Sequence, residues 1–167
     1  MFTKNQKLTV IASLLVLSTN LQAVTCNNEN TVVTATTEHL EISSDGLTVY
    51  DPKTDLTWQR CGVGQNWDGS NCSGAATSMN WQQALESAGS GWRLPNIKEL
   101  ASIIEQRCWS PAIDTGFFPN TPNSYYWSSS PYAYYNNFAW ALDFNYGGDG
   151  ASFKNSHRYV RLVRSGQ

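Results

Sequence analysis

Trp81, Ala84, Leu85 and Ala88 recur at the spacing of one helix face, between Asn80 and Gly89. Asn80 has the side chain to cap free backbone N–H groups, Gln83 can reach back to it, and Gly89 suits a stop. The pattern repeats downstream, where Asn96 and Glu99 bracket the start of a second amphipathic run through Ile97, Leu100, Ala101 and Ile104. Pro95 disfavours helical geometry at Leu94, so Trp92-Arg93-Leu94 is predicted extended and leads straight into that helix. Arg93, set between two apolar neighbours, is expected to be scaffolding: a partly buried guanidinium held by a carboxylate or by backbone carbonyls, since burying it unpaired is costly.

Elsewhere the period is two. Val49-Tyr50 and Leu56-Thr57-Trp58 flank Asp51-Pro52-Lys53-Thr54, a turn sequence, which predicts a β-hairpin. Gly62 to Ala76 reads as a loop. After Cys108, four prolines from Pro111 to Pro131 punctuate a region rich in Tyr, Trp, Phe, Ser and Asn, where helix is not expected. There Phe138, Trp140, Leu142 and Phe144 alternate with smaller or polar residues, the pattern of a strand with a core face. A turn over Tyr146 to Gly150 and a return over Ala151 to Lys154 follow, and Tyr159 to Val163 is predicted as a final strand. No repeat of solenoid length is present.

The chain's start has a different pattern. Lys4 and Lys7 precede a mostly apolar run from Leu8 to Leu17, then Ser18, Thr19 and Asn20, then Leu21-Gln22-Ala23. That order predicts a signal peptide over residues 1–23, cleaved after Ala23; the run falls short of the roughly 20 apolar residues that a bilayer span needs. Cys26 raises a lipoprotein alternative, which the bulky Val24 and Thr25 before it disfavour. Residues 24–44, polar and threonine-rich, are read as an extended segment ahead of a single domain over residues 45–167. Beyond the leader the chain keeps nine of its eleven basic residues against all thirteen acidic ones, which argues against nonspecific nucleic-acid binding; because the one apolar run is short and leaves with the leader, no stable membrane insertion is expected after cleavage.

All four cysteines fall in the exported part, and an even count there predicts disulfides. Cys61 with Cys72 is preferred because it closes a loop of Gly, Asn and Ser with little shape of its own, leaving Cys26 to tether the N-terminal segment to Cys108. Zinc is disfavoured, since there is no Cys-x-x-Cys and only His39 and His157 could add nitrogen.

Three sets of residues carry candidate chemistry. Tyr132, Tyr134, Tyr135 and Asn136, within the aromatic stretch from Ser124 to Trp140, are candidate surface contacts, whereas Trp127, Phe138 and Trp140 are expected in the core. Lys154, Arg158 and Arg164 are candidates for an anion patch, with Arg161 solvated or paired internally because strand alternation points it the other way. Asp143, Asn145 and Asp149 are the candidates for calcium; they match no EF-hand spacing, and turn formation explains them as well, so no cofactor is expected. A hydrolytic serine lacks support: Ser128, Ser129 and Ser130 have no Gly-x-Ser-x-Gly context and no histidine linked to them by spacing.

The ordered set VYDPKTDLTWQRC, WQQAL, WRLPNIKEL, YYWSSSPY, AWALDFNYGGDG and YVRLVRSGQ, over residues 47–167, resembles the Lcl C-terminal domain family, named for a bacterial collagen-like adhesin. The resemblance implies an α+β, C-type lectin-like fold: hairpin, two amphipathic helices, then loop-rich antiparallel strands. For the naming adhesin it implies a trimeric module that binds sulfated glycosaminoglycans. This chain departs in lacking a Gly-x-x repeat ahead of the domain and in its acidic balance. The WRLP and VRLVR segments are also similar to the formylglycine-generating enzyme branch, whose catalytic cysteine pair has no counterpart here. The expectation is a non-catalytic binding module of the bacterial envelope, secreted, periplasmic or at the surface, that recognises a glycan or a cell-surface protein. An envelope enzyme on the same scaffold and a structural subunit of a surface complex are the alternatives, and the oligomeric state is left open.

Overall fold

The computed structural model describes residues 25–26 and 39–167. The predicted leader and most of the predicted extended segment lie outside the described residues. In chain order the elements are β1 (Thr25–Cys26), β2 (Glu41–Ile42), β3 (Thr48–Asp51), β4 (Leu56–Gln59), β5 (Asn66–Trp67), β6 (Cys72–Ser73), α1 (Trp81–Glu86), α2 (Ile97–Ala101), β7 (Cys108–Trp109), β8 (Tyr125–Pro131), β9 (Phe138–Asp143), β10 (Asp149–Phe153) and β11 (Val163–Ser165). Every described strand pair is antiparallel, in sheets ordered β11-β4-β3-β2 and β10-β9-β8 with two small ribbons, β1-β7 and β5-β6. The architecture is α+β, mostly antiparallel strand with two short helices.

The hairpin β3-β4 forms where its turn residues predict it. Asp51 Oδ1 accepts from the Lys53 N–H and Oδ2 from the Thr54 hydroxyl, which fixes the reversal. His39 reaches the same carboxylate at 3.0 Å, Leu40 is buried, and β2 pairs with β3, so the described body extends ahead of residue 45. Both capping boxes are present, at Asn80 with Gln83 and at Asn96 with Glu99. Each helix is short, however: α1 ends at Glu86, ahead of Gly89, and α2 ends at Ala101, with Ile103 and Ile104 buried in the turns beyond.

Two apolar clusters hold these layers together. One gathers Val49, Trp58, Leu100, Ile103, Ile113, Phe118, Tyr126, Leu142, Phe144 and Val163. The other sets Ala84 and Leu94 against Trp127, Ala139, Ala141, Val160 and Leu162. The predicted core face of β9 therefore needs a correction. Leu142 and Phe144 are buried, but Phe138 and Trp140 are only half-buried, while Ala139 and Ala141 are fully enclosed. The physical reason is space: the Trp127 indole fills the side of the sheet next to α1 and leaves room opposite it only for alanine.

The last strand is also shorter and later than predicted. Gln59 and Val63 N–H groups donate to the carbonyls of Leu162 and Val160, and regular pairing with β4 starts only at Val163. Arg161 is 0% exposed, and its guanidinium donates to the Gln59 and Arg60 carbonyls and to the Thr121 hydroxyl, over the Phe118 ring. Of the two roles expected for it, solvation or internal pairing, the structure shows the second. Burial lowers its pKa, and burial also raises that of the adjacent Tyr126 phenol, which the Arg161 charge partly opposes.

Cys61 and Cys72 are bonded, with Cα atoms 5.4 Å apart, and close the glycine-rich loop as expected. Cys108 is disulfide-bonded too, and the β1-β7 register sets Cys26 directly opposite it. Among the described residues no cysteine is a free thiol and no helix is long and apolar enough to cross a membrane. Both features are compatible with a secreted or surface protein.

Candidate functional site

An aromatic surface forms where β9, β10 and the loop after β8 meet. The Phe138 and Phe153 side chains oppose each other across the β9-β10 register, with ring centroids 4.0 Å apart. Trp140 follows on the same face of β9, and Tyr132 meets its edge at 5.1 Å. Tyr132 also contacts Tyr134 at 5.5 Å and lies nearly parallel to Tyr135 at 6.3 Å, and Tyr135 closes back on Phe138 at 5.8 Å. The six rings are continuous, and three of them stand well out in solvent: Tyr134 at 81%, Tyr135 at 62% and Phe153 at 53%.

The backbone explains why these rings are presented and not buried. The Tyr132 N–H donates to the Phe138 carbonyl and the Phe138 N–H to the Tyr135 carbonyl, which folds residues 132–138 into a tight reversal. Beneath it the serine run is structural. Ser128 Oγ donates to the Trp140 carbonyl, and Ser130 Oγ accepts from the Ile97 N–H at the start of α2. The register of β8 on β9 shifts between Trp127 and Pro131, and that irregularity re-aims the chain that carries the tyrosines.

Polar groups border the rings. Lys154, next to Phe153, donates from Nζ to the Asn136 carbonyl at 2.7 Å and lies 4.2 Å from the centre of the Trp81 ring. Trp81 is held in turn by its own N–H donating to the Ser128 carbonyl. Tyr132, Tyr134, Tyr135, Asn136 and Lys154 are thus brought to one surface. The other two predicted cations go elsewhere: Arg158 donates to Ser152 Oγ beside Tyr125, and Arg164, on β11, lies over Trp92.

Asp143, Asn145 and Asp149 are placed around the β9-β10 turn. Asp143 Oδ1 accepts from the Asn145 N–H, and Asn145 Oδ1 accepts from the Ser110 hydroxyl, which are turn and loop-tethering roles. Among the described residues no three His, Cys, Asp or Glu side chains converge as a metal site would need.

Arg93 has the carboxylate expected for it. Both its terminal nitrogens donate to Glu99 at 2.7 Å, one to each oxygen, and its backbone bridges to Val163. Glu99 Oε2 also accepts from the Asn96 N–H, so one side chain completes a helix cap and an ion pair. Burial pushes the Glu99 carboxyl up, but the Arg93 and Asn96 hydrogen bonds and the Arg93 charge outweigh it and leave it below the usual glutamate range. The Arg93 guanidinium is raised correspondingly by its hydrogen bonds to Glu99.

Sequence reasoning missed Phe138, Trp140, Phe153 and Trp81 as surface contributors. A signal was present in the alternation itself, since Ala139 and Ala141 are small enough to face a close-packed layer, and that choice sends the large rings outward. Residues 47–164 match the family model of the Lcl C-terminal domain. No curated protein matches the chain.

Proposed function

This chain belongs to the Lcl C-terminal domain family, and from that premise we propose that it is a non-catalytic, C-type lectin-like module of the cell envelope that recognises a glycan or a surface protein. The reading rests on one observation: six contiguous rings, three of them largely exposed, beside a fixed lysine and two exposed asparagines. Aromatic faces take the C–H faces of a pyranose or the apolar anchors of a protein partner, and amide and ammonium groups set direction. The order of hairpin, two helices and late antiparallel strands supports the lectin-like assignment.

Magnitude constrains how such a site works. Covering two exposed rings removes on the order of 100 Å² of apolar surface from water, about 2–3 kcal/mol. Association costs at least about 4 kcal/mol of lost freedom, so ring contact alone gives weak binding and the polar border must contribute. Single contacts of modest affinity, strengthened by repetition of the ligand on a surface, follow from this.

The test is a glycan array together with a pull-down from envelope extract, run with the wild type and with Tyr134→Ala/Tyr135→Ala. Both side chains are solvent-exposed, so the double variant should keep the far-ultraviolet circular dichroism and the melting temperature of the wild type while losing most of the retained ligand. Equal retention by the two proteins, or blank results in both assays with folded wild type, would defeat the proposal.

A further inference from the structure

One edge of the three-stranded sheet is closed. Along β8 the Tyr159 N–H donates to the Tyr125 carbonyl and the Trp127 N–H to the Tyr159 carbonyl, so the segment ahead of β11 covers that side. The other edge is β10, which pairs with β9 alone among the described residues. The register decides which of its backbone groups face outward. The Asp143 N–H donates to the Gly148 carbonyl and the Lys154 N–H to the Asn137 carbonyl, so the even-numbered residues of β10 exchange bonds with β9. Asp149, Ala151 and Phe153 therefore turn their backbone groups to the open side. The Phe153 carbonyl accepts from the Ser156 N–H, but among the described residues the Asp149 carbonyl, both Ala151 groups and the Phe153 N–H have no partner.

Little on this edge obstructs an approaching chain. Proteins ordinarily blunt a free edge with proline, lysine or a bulge. β10 has no proline or lysine, and its register on β9 is unbroken. Gly148 and Gly150 add no bulk, and even a Cβ built on either would meet nothing within 4 Å. The one charge is Asp149, exposed at the start of the strand and in no ion pair among the described residues.

The same three residues continue the aromatic face. Phe153 belongs to the ring surface, and Ala151 is exposed directly opposite Trp140. A strand added along β10 would lay every second side chain on that face, because residues opposite one another in a sheet share a side.

We infer that β10 pairs with an extended segment of a protein partner, which joins the sheet as a fourth strand. The inference rests on the reading of the aromatic surface as a binding face, and it commits that face to polypeptide. The unpartnered groups select the class: a glycan carries no ladder of N–H and C=O groups at strand spacing, whereas another backbone matches it bond for bond. The added strand runs antiparallel, as every described pair in this fold does. In its own chain order it places an apolar residue beside Phe153, a second over Ala151 and a basic residue against the Asp149 carboxylate. Main-chain bonds hold the segment, and these alternate side chains select it.

The experiment titrates the oxidised protein with the blocked peptide acetyl-Val-Thr-Val-Thr-Lys-Thr-amide, followed by amide chemical shifts and hydrogen exchange. In the free protein the Ala151 and Phe153 amides should exchange fast and those of Gly150 and Ser152 slowly, since only the latter two bond to β9. The peptide should give saturable shifts at Ala151 and Phe153 and slow their exchange. N-methylation of both valines removes the donors that face β10 and should weaken binding at least about tenfold. Glutamate in place of the peptide's lysine should weaken it as well, and Asp149→Lys should restore that loss. Ala151→Pro deletes an outward N–H at an edge position, where proline is tolerated, and should abolish binding; the N-methylated peptide makes the equivalent measurement on the wild type. No saturable shift at millimolar peptide, equal binding of the N-methylated peptide, or Ala151 and Phe153 amides as slow as their neighbours in the free protein would each overturn the inference. A glycan signal that Ala151→Pro keeps and Tyr134→Ala/Tyr135→Ala loses, with no peptide bound, would overturn it too and leave the broader reading of the aromatic surface standing.

Discussion

Arg93 and Glu99 show how much one side chain can carry. Glu99 serves the Asn96 cap and the Arg93 fork together, so Glu99→Gln, which can still accept from the cap N–H, loses mainly the ion pair. Arg93 is 42% exposed along its side chain, so solvent screening keeps the loss small, about 1 kcal/mol. The pH dependence follows from the direction of the shift. The folded carboxyl titrates below its unfolded value, so its contribution is complete above the ordinary glutamate range and is lost as pH falls through the lower, folded value. Urea denaturation of wild type and Glu99→Gln should therefore differ at neutral pH and converge in acid. A gap that stays constant down to strongly acidic pH would contradict this. Arg161 belongs to the other extreme, a guanidinium with no exposure held by carbonyls and a hydroxyl, which ties β4 to the segment ahead of β11.

At the scale of elements, the β9-β10 hairpin sets what the aromatic surface can be. Gly147, at φ +82°, receives the return of the chain by donating its N–H to the Asp143 carbonyl, and an added Cβ would lie 3.0 Å from Ile104 Cγ2. Gly147→Ala combines left-handed strain with that contact and should cost about 1–3 kcal/mol. A melting temperature equal to wild type would show that the turn relaxes freely. The two helix starts were readable because a capping box is a local device: four residues satisfy one another's hydrogen bonds whatever packs above them. The helix ends were not, because α1 and α2 stop where tertiary contacts take over from the periodic pattern, well before a stop residue in the case of α1. The inner face of β9 was misread for a related reason. Alternation fixes that Phe138 and Trp140 share a face, and only the neighbouring layer decides whether that face is covered.

For the molecule as a whole, the Cys61–Cys72 bond encloses a loop that contributes β5 and β6 and brings Trp67 within 4.0 Å of the Arg60 guanidinium. Replacing both cysteines by serine frees that loop in the unfolded chain and should cost about 2–3 kcal/mol. A thermal melt of the double variant checks this, with a shift of several degrees expected and a shift near zero contradicting it. The aromatic surface depends on β8, β9 and β10 and not on this loop, so ligand retention should survive the change below the melting transition.

Local chemistry determined the hairpin turn, both capping boxes, the Cys61–Cys72 pairing, the scaffold role of Arg93 and the exposure of Tyr134 and Tyr135, because each is settled by residues close in sequence or by composition. Only the tertiary structure decided that Phe138, Trp140 and Phe153 join those tyrosines, and that Lys154 sits between the Asn136 carbonyl and the Trp81 ring at their border. Those arrangements come from strand register and from the bulk of Trp127 on the opposite side of a sheet, and both are long-range packing choices that no short stretch of chain encodes.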